Sequence, residues 1–235
     1  MLAAFFILQG LPKRWLTYCV SFSAGVLLST AILQLLPESL KLGLDPQNIF
    51  STLLGAILCF FILEKALIWR HFHDDSGVNN LSNFKDSSHD LGHHHGSSAF
   101  AILIGDGFHN FTDGVLITVA FITDPAIGWA TTLAVVSHEI PQEAGDFIIL
   151  VDAGWEKKRA LLWNGISSFT SVVGAVLAYV SIDFIKPFIP YVLVITAACF
   201  TYIAISDLLP RLKMEFRGLW WHALYLFTGI LVSLP

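Results

Sequence analysis

Two short stretches carry side chains that could bind or pass on a charged species: "HNFTDG" at 109–114 and "HEIPQE" at 138–143. On a helix, His109 and Asp113 stand at i and i+4 on one face, with Asp106 three residues earlier on nearly the same stripe. In the second stretch His138 and Gln142 form one i, i+4 column, and Glu139 and Glu143 form the adjacent one. Pro141 has no N–H to offer the Ser137 carbonyl, so that oxygen becomes one more candidate ligand. Imidazole nitrogen together with carboxylate oxygen suits zinc and its neighbours Fe(II), Mn(II) and cadmium.

The surroundings of these residues decide how they must be held. The chain is 55% hydrophobic and 13% charged, with a mean hydropathy of +0.68; a soluble domain carries about 25% charged residues. Apolar runs at 15–36, 48–69, 99–123, 127–151, 160–182, 187–209 and 219–235 each approach the roughly 20 residues that a spanning helix needs. The opening "MLAAFFILQGL" is too short to cross and lacks the marks of a cleaved signal, so it reads as the tail of a shortened first helix. The expected fold is therefore an all-α polytopic membrane bundle of about eight helices. Both motifs fall at the centres of spans, and "TDPA" (123–126) joins those spans as antiparallel neighbours.

Carboxylates there are expensive. Asp106, Asp113, Glu139, Glu143 and Asp146 would each cost roughly 2.5–3.5 kcal/mol at a helix centre. No lysine or arginine lies in either span, so the neutralising cation must come from outside. Protons are an alternative cargo, because Asp, Glu and His chains carry them too. A metalloprotease is a poor fit: "HE" at 138–139 begins an HExxH pattern, but position 142 is Gln and Pro141 interrupts the helix. We therefore expect no enzymatic activity. Cys19, Cys59 and Cys199 are scattered singly and read as small core residues.

Basic residues give an orientation. Counting the opening stub as the first helix, loops after odd-numbered helices hold ten lysines and arginines and loops after even-numbered ones hold two, Lys41 and Lys186. Both ends then face outward. Residues 1–235 form one transmembrane domain, and 71–98 form a His-rich, disordered cytoplasmic loop able to hold a divalent metal loosely. "AILQLLPESLK" (31–41) and "AISDLLPRLK" (204–213) match in register on helices of opposite direction, an inverted repeat of the kind secondary transporters use.

The paired motifs, "LLPE" and "DLLP" in the repeat, and the His-rich loop closely resemble the ZIP (Zrt-, Irt-like protein) family of divalent metal transporters. The resemblance covers nearly the whole chain. It implies import of zinc or a similar ion (Fe2+, Mn2+ or Cd2+) into the cytoplasm as transported substrate. It further implies a two-metal centre: His109, Asp113, His138 and residue 142 for the first ion, and Asn110, Glu139, residue 142 and a polar residue such as Asn164 for the second. Glu143 would steady a ligand from behind. The family branch has His where this chain has Gln142, a weaker ligand. It also moves helices one, four, five and six against the other four, and Ser167, Ser171 and Ala175 would allow close contacts. The expected partners are the metal ion and the lipid bilayer, with no nucleic acid; a homodimer is compatible. The expected setting is the plasma (inner) membrane, or an organelle membrane. A metal sensor that binds without transport is the alternative.

Overall fold

The computed structural model describes residues 13–74, 95–210 and 218–234, and every regular element among them is helical. α1 (Lys13–Ser29) runs through a π-helical turn (Thr30–Leu35) into α2 (Leu36–Lys41). α3 (Pro46–Asp74), α4 (His95–Thr123), α5 (Pro125–Asp152) and α6 (Lys157–Val180) follow. α7 (Ile182–Ile185) leads through a 3-10 turn into α8 (Ile189–Ile203), then a second π-helical turn (Ala204–Leu208), and last comes α9 (Leu219–Val232).

Thr17–Lys41, Pro46–Leu63, Lys157–Val180 and Ile182–Ser206 are long and apolar enough to cross a bilayer. α4 and α5, of 29 and 28 residues, are longer still, and α4 carries the buried Asp106 and Asp113. Phe50, Leu54, Leu58, Phe61 and Ile62 stand exposed along α3, as do Leu162, Phe169, Val173, Val176 and Val180 along α6. Apolar faces of this extent suit acyl chains rather than water. The chain is an all-α polytopic membrane protein.

The core gathers Leu27 of α1, Leu35 of the first π turn, Val119 of α4, Ala134 of α5, and Leu193 and Phe200 of α8. Glycine sets the closest helix approaches. A Cβ at Gly114 would run into the Ser171 carbonyl, and one at Gly174 into the Phe111 carbonyl, so α4 and α6 lock reciprocally. Gly25 against Leu226 and Gly229 against Phe22 lock α1 to α9 in the same manner. Ser171 and Ala175 do lie at the α4–α6 contact, but it is the facing glycine that permits it.

The sequence repeat has a backbone counterpart. Leu36 N–H bonds to the Ala31 carbonyl and Leu209 N–H to the Ala204 carbonyl, five residues back in each case. Ala31 and Ala204 are the matched first letters of the two copies, and Pro37 and Pro210 follow each turn at the same offset. Proline has no N–H for the i−4 carbonyl, and a π turn is one way for a helix to absorb that loss.

The polar loop is narrower than its composition suggests. α3 continues to Asp74 and α4 begins at His95, so 71–74 and 95–98 have helical backbone. A helix satisfies its own backbone bonds and can outrun its apolar stretch into water. His89, His93, His94, the opening stub and the basic stretch 211–217 lie outside the described residues.

Candidate metal centre

α4 and α5 are joined by one non-helical residue, Asp124, whose carboxylate accepts from the N–H groups of Ala126 (2.7 Å) and Ile127 (3.4 Å) and so caps α5. The tight hairpin brings the two motifs face to face. His109, Asp113, His138 and Glu139 each offer one ligand atom, and these four atoms lie within 4.8 Å of one another. The two Nε2 atoms are 3.2 Å apart. Asp113 Oδ2 is 3.6 Å from His109 Nε2 and 3.3 Å from His138 Nε2, and Glu139 Oε1 is 3.7 Å from each imidazole. A tetrahedron with metal–ligand bonds near 2.0–2.2 Å has edges of about 3.3–3.6 Å. These five spacings bracket that range, and the sixth, between the two carboxylate oxygens, lies within 4.8 Å.

The second contacts of these groups favour a metal. His138, 1% exposed, donates Nδ1–H to the Ala134 carbonyl at 2.9 Å, one turn back on its own helix. A carbonyl can only accept, so this bond puts the ring proton on Nδ1 and turns the neutral ring's Nε2 lone pair toward the cluster. Asp113 Oδ1, Asp113 Oδ2 and Glu139 Oε1 are buried without a hydrogen-bond partner. Buried carboxylate oxygens normally find donors, so this cluster carries a deficit of positive charge. Only histidines pair with Asp113 and Glu139 among the described residues.

The remaining motif residues are held by other partners. Asn110 and Gln142 both donate to Asp106 Oδ1, at 3.0 and 3.3 Å. Glu143 accepts from Ser168 of α6 at 2.7 Å, while Asn164 of α6 donates to the Glu143 carbonyl at 2.9 Å. The Ser137 carbonyl freed by Pro141 is not aimed at the cluster: Ser23 of α1 donates to it. Asp106 is the residue whose part the spacing did not reveal. It shares the stripe of His109 and Asp113, yet only the packing of α5 shows that it gathers both amides.

A cavity of about 480 Å³ lies apart from the cluster. It opens where α2, the start of α5 and the end of α9 meet, and is lined among others by Gln34, Glu38, Lys41, Asp124, Trp129 and Leu133. Leu133 stands five residues from His138, about 7.5 Å along the helix.

The ZIP Zinc transporter family profile matches residues 1–232. Zinc transporter foi of Drosophila melanogaster is 36% identical over 121 residues, which cover 52% of this chain and 17% of that protein. An uncharacterised zinc transporter of Schizosaccharomyces pombe is 31% identical over 263 residues, covering 87% of this chain and 58% of that one. The metal cation symporter ZIP14 of Xenopus tropicalis is 26% identical over 264 residues, covering 88% and 57%. The chain thus spans less than two thirds of each of these relatives. With the match running through both motif helices and across the whole bundle, the chain belongs to the ZIP zinc transporter family.

Proposed function

We propose that the chain moves a divalent metal ion, zinc or a similar ion such as Fe2+, Mn2+ or Cd2+, into the cytoplasm, holding it on His109, Asp113, His138 and Glu139. The carrying observation is the convergence of two imidazole nitrogens and two carboxylate oxygens within 4.8 Å of one another. In the deprotonated form that ligates a metal, two neutral imidazoles and two carboxylates sum to −2, so a divalent ion makes the centre neutral. A net charge in a low-dielectric bundle costs several kcal/mol or more, so a neutral centre is one that can sit at the middle of a membrane. A monovalent ion would leave that centre charged.

The basic-residue count supports the direction: it puts the 480 Å³ cavity on the outer side and the start of α4 on the inner side. An ion would enter past Glu38 and Asp124 and leave along the Asp106 end of α4. The glycine-locked pairs support a rigid-body step. α4–α6 and α1–α9 fall on opposite sides of the division that the family resemblance implies, and the Ser23–Ser137 bond crosses it. The plasma membrane is the proposed setting.

Uptake into sealed vesicles tests this reading. Purified chain should produce a saturable, time-dependent rise in lumenal zinc, with added iron, manganese or cadmium competing. Stoichiometric binding with no lumenal rise would overturn transport and leave a membrane metal sensor.

A further inference from the structure

Asp106 is 5% exposed on α4, three residues and about 4.5 Å of helix rise before His109. Its Oδ1 accepts from Asn110 Nδ2 at 3.0 Å and from Gln142 Nε2 of α5 at 3.3 Å. Asn110 Nδ2 also donates to the Asp106 backbone carbonyl at 3.0 Å, so the Asn110 amide nitrogen is committed to one residue. Asp106 Oδ2 is buried and accepts nothing. Ser167 of α6 has one hydroxyl proton to share between the Asp106 carboxylate beside it and the Leu103 carbonyl at 3.1 Å.

The two ends of a carboxamide have nearly the same shape, so packing hardly chooses which end faces which way. Charge does choose. An ionised carboxylate only accepts, and it draws both NH2 ends to itself. We propose that Asp106 is a positioning residue for the metal path: it holds the amides of Asn110 and Gln142 with their NH2 groups on itself, leaving their carbonyl oxygens as the ends that meet a passing divalent cation.

An NH2 end repels a cation and a carbonyl oxygen attracts one, so this orientation makes neutral Gln142 usable on the path. Two neutral oxygens hold zinc weakly after a centre with two nitrogens and two carboxylates, which is what release toward the cytoplasm needs. The inference rests on the transport reading above.

The test compares Asp106→Asn with the conservative Asp106→Glu in the full chain. Two measurements are made: zinc titration calorimetry in detergent, and zinc uptake in proteoliposomes. The carboxamide introduced by D106N has nearly the same size as the carboxylate but can donate, so the facing amides are released to turn round. Loss of such an orienting partner costs about 10–100-fold, and we expect that loss in the maximal uptake rate. Zinc affinity at the four-ligand cluster should stay within about threefold. D106E keeps an acceptor-only carboxylate facing both amides, so its uptake should stay within about threefold of the parent.

Wild-type uptake by D106N would overturn the proposal, as would a D106E variant as slow as D106N. Loss of zinc binding in D106N would also overturn it, by showing a general structural role. A His138→Ala control keeps the two readings apart. If it neither weakens binding nor slows uptake, the transport reading fails, whatever Asp106 does.

Discussion

Replacing His138 should damage zinc binding more than replacing His109, although both offer Nε2 to the same cluster. A structural zinc site is worth about 10–16 kcal/mol over four ligands, or roughly 2.5–4 kcal/mol each. At 1.4 kcal/mol per tenfold, losing one ligand weakens binding by about two to three orders of magnitude. His138 should show the full loss. It is 1% exposed and its ring is set by Ala134, so neither water nor a swinging neighbour can stand in for it. The His109 side chain is 22% exposed, which gives water a way to the vacated position, and its loss should cost about tenfold less. Thermal melting in detergent with and without zinc reads this directly. At zinc one hundred times the parent's dissociation constant, the parent gains about 2.7 kcal/mol. A variant weakened about 300-fold gains only about 0.2 kcal/mol by the same relation. The metal-dependent increment is compared within each variant, so any cavity left by the substitution cancels, and His138→Gln provides a variant closer in size. Equal increments in the parent and in both alanine variants would refute the four-ligand assignment.

Gln142→His would place an imidazole beside Asp106 and the cluster. Zinc affinity should rise with an equal or lower maximal uptake rate, and manganese, which favours oxygen ligands, should gain less; competitive uptake of the two ions measures it. Gly174→Ala should destabilise the protein by about 1–3 kcal/mol, because its Cβ meets the Phe111 backbone and not a movable side chain. Gly55→Ala on exposed α3 meets nothing within 4 Å and should leave the melting temperature unchanged or slightly higher. Deleting 89–95 should preserve uptake and alter its response to cytoplasmic metal, and vesicles preloaded with zinc would show that difference.

The amino-acid order alone reaches a long way here, because helix geometry converts spacing into faces. His109 and Asp113 must share a face once that segment is helical, and a one-residue hairpin linker leaves α5 nowhere to pack but beside α4. Apolar length made the segments helical, since a bilayer accepts little else. Spacing along one helix does not set the rotation of α5 about its own axis relative to α4. That rotation let both His138 and Glu139 reach the cluster from adjacent columns and turned Gln142 to Asp106 and Glu143 to Ser168. Column arithmetic had paired residue 142 with His138 instead. The oxygen freed by Pro141 was legible, but its taker was not, because Ser23 lies 114 residues away in sequence. The repeat could be read as letters, whereas the matching π turns at Ala31 and Ala204 exist only once the backbone has wrapped around each proline. Local hydrogen bonding follows from the order of residues; which polar group meets which across two helices follows from how their glycine-notched surfaces allow them to pack.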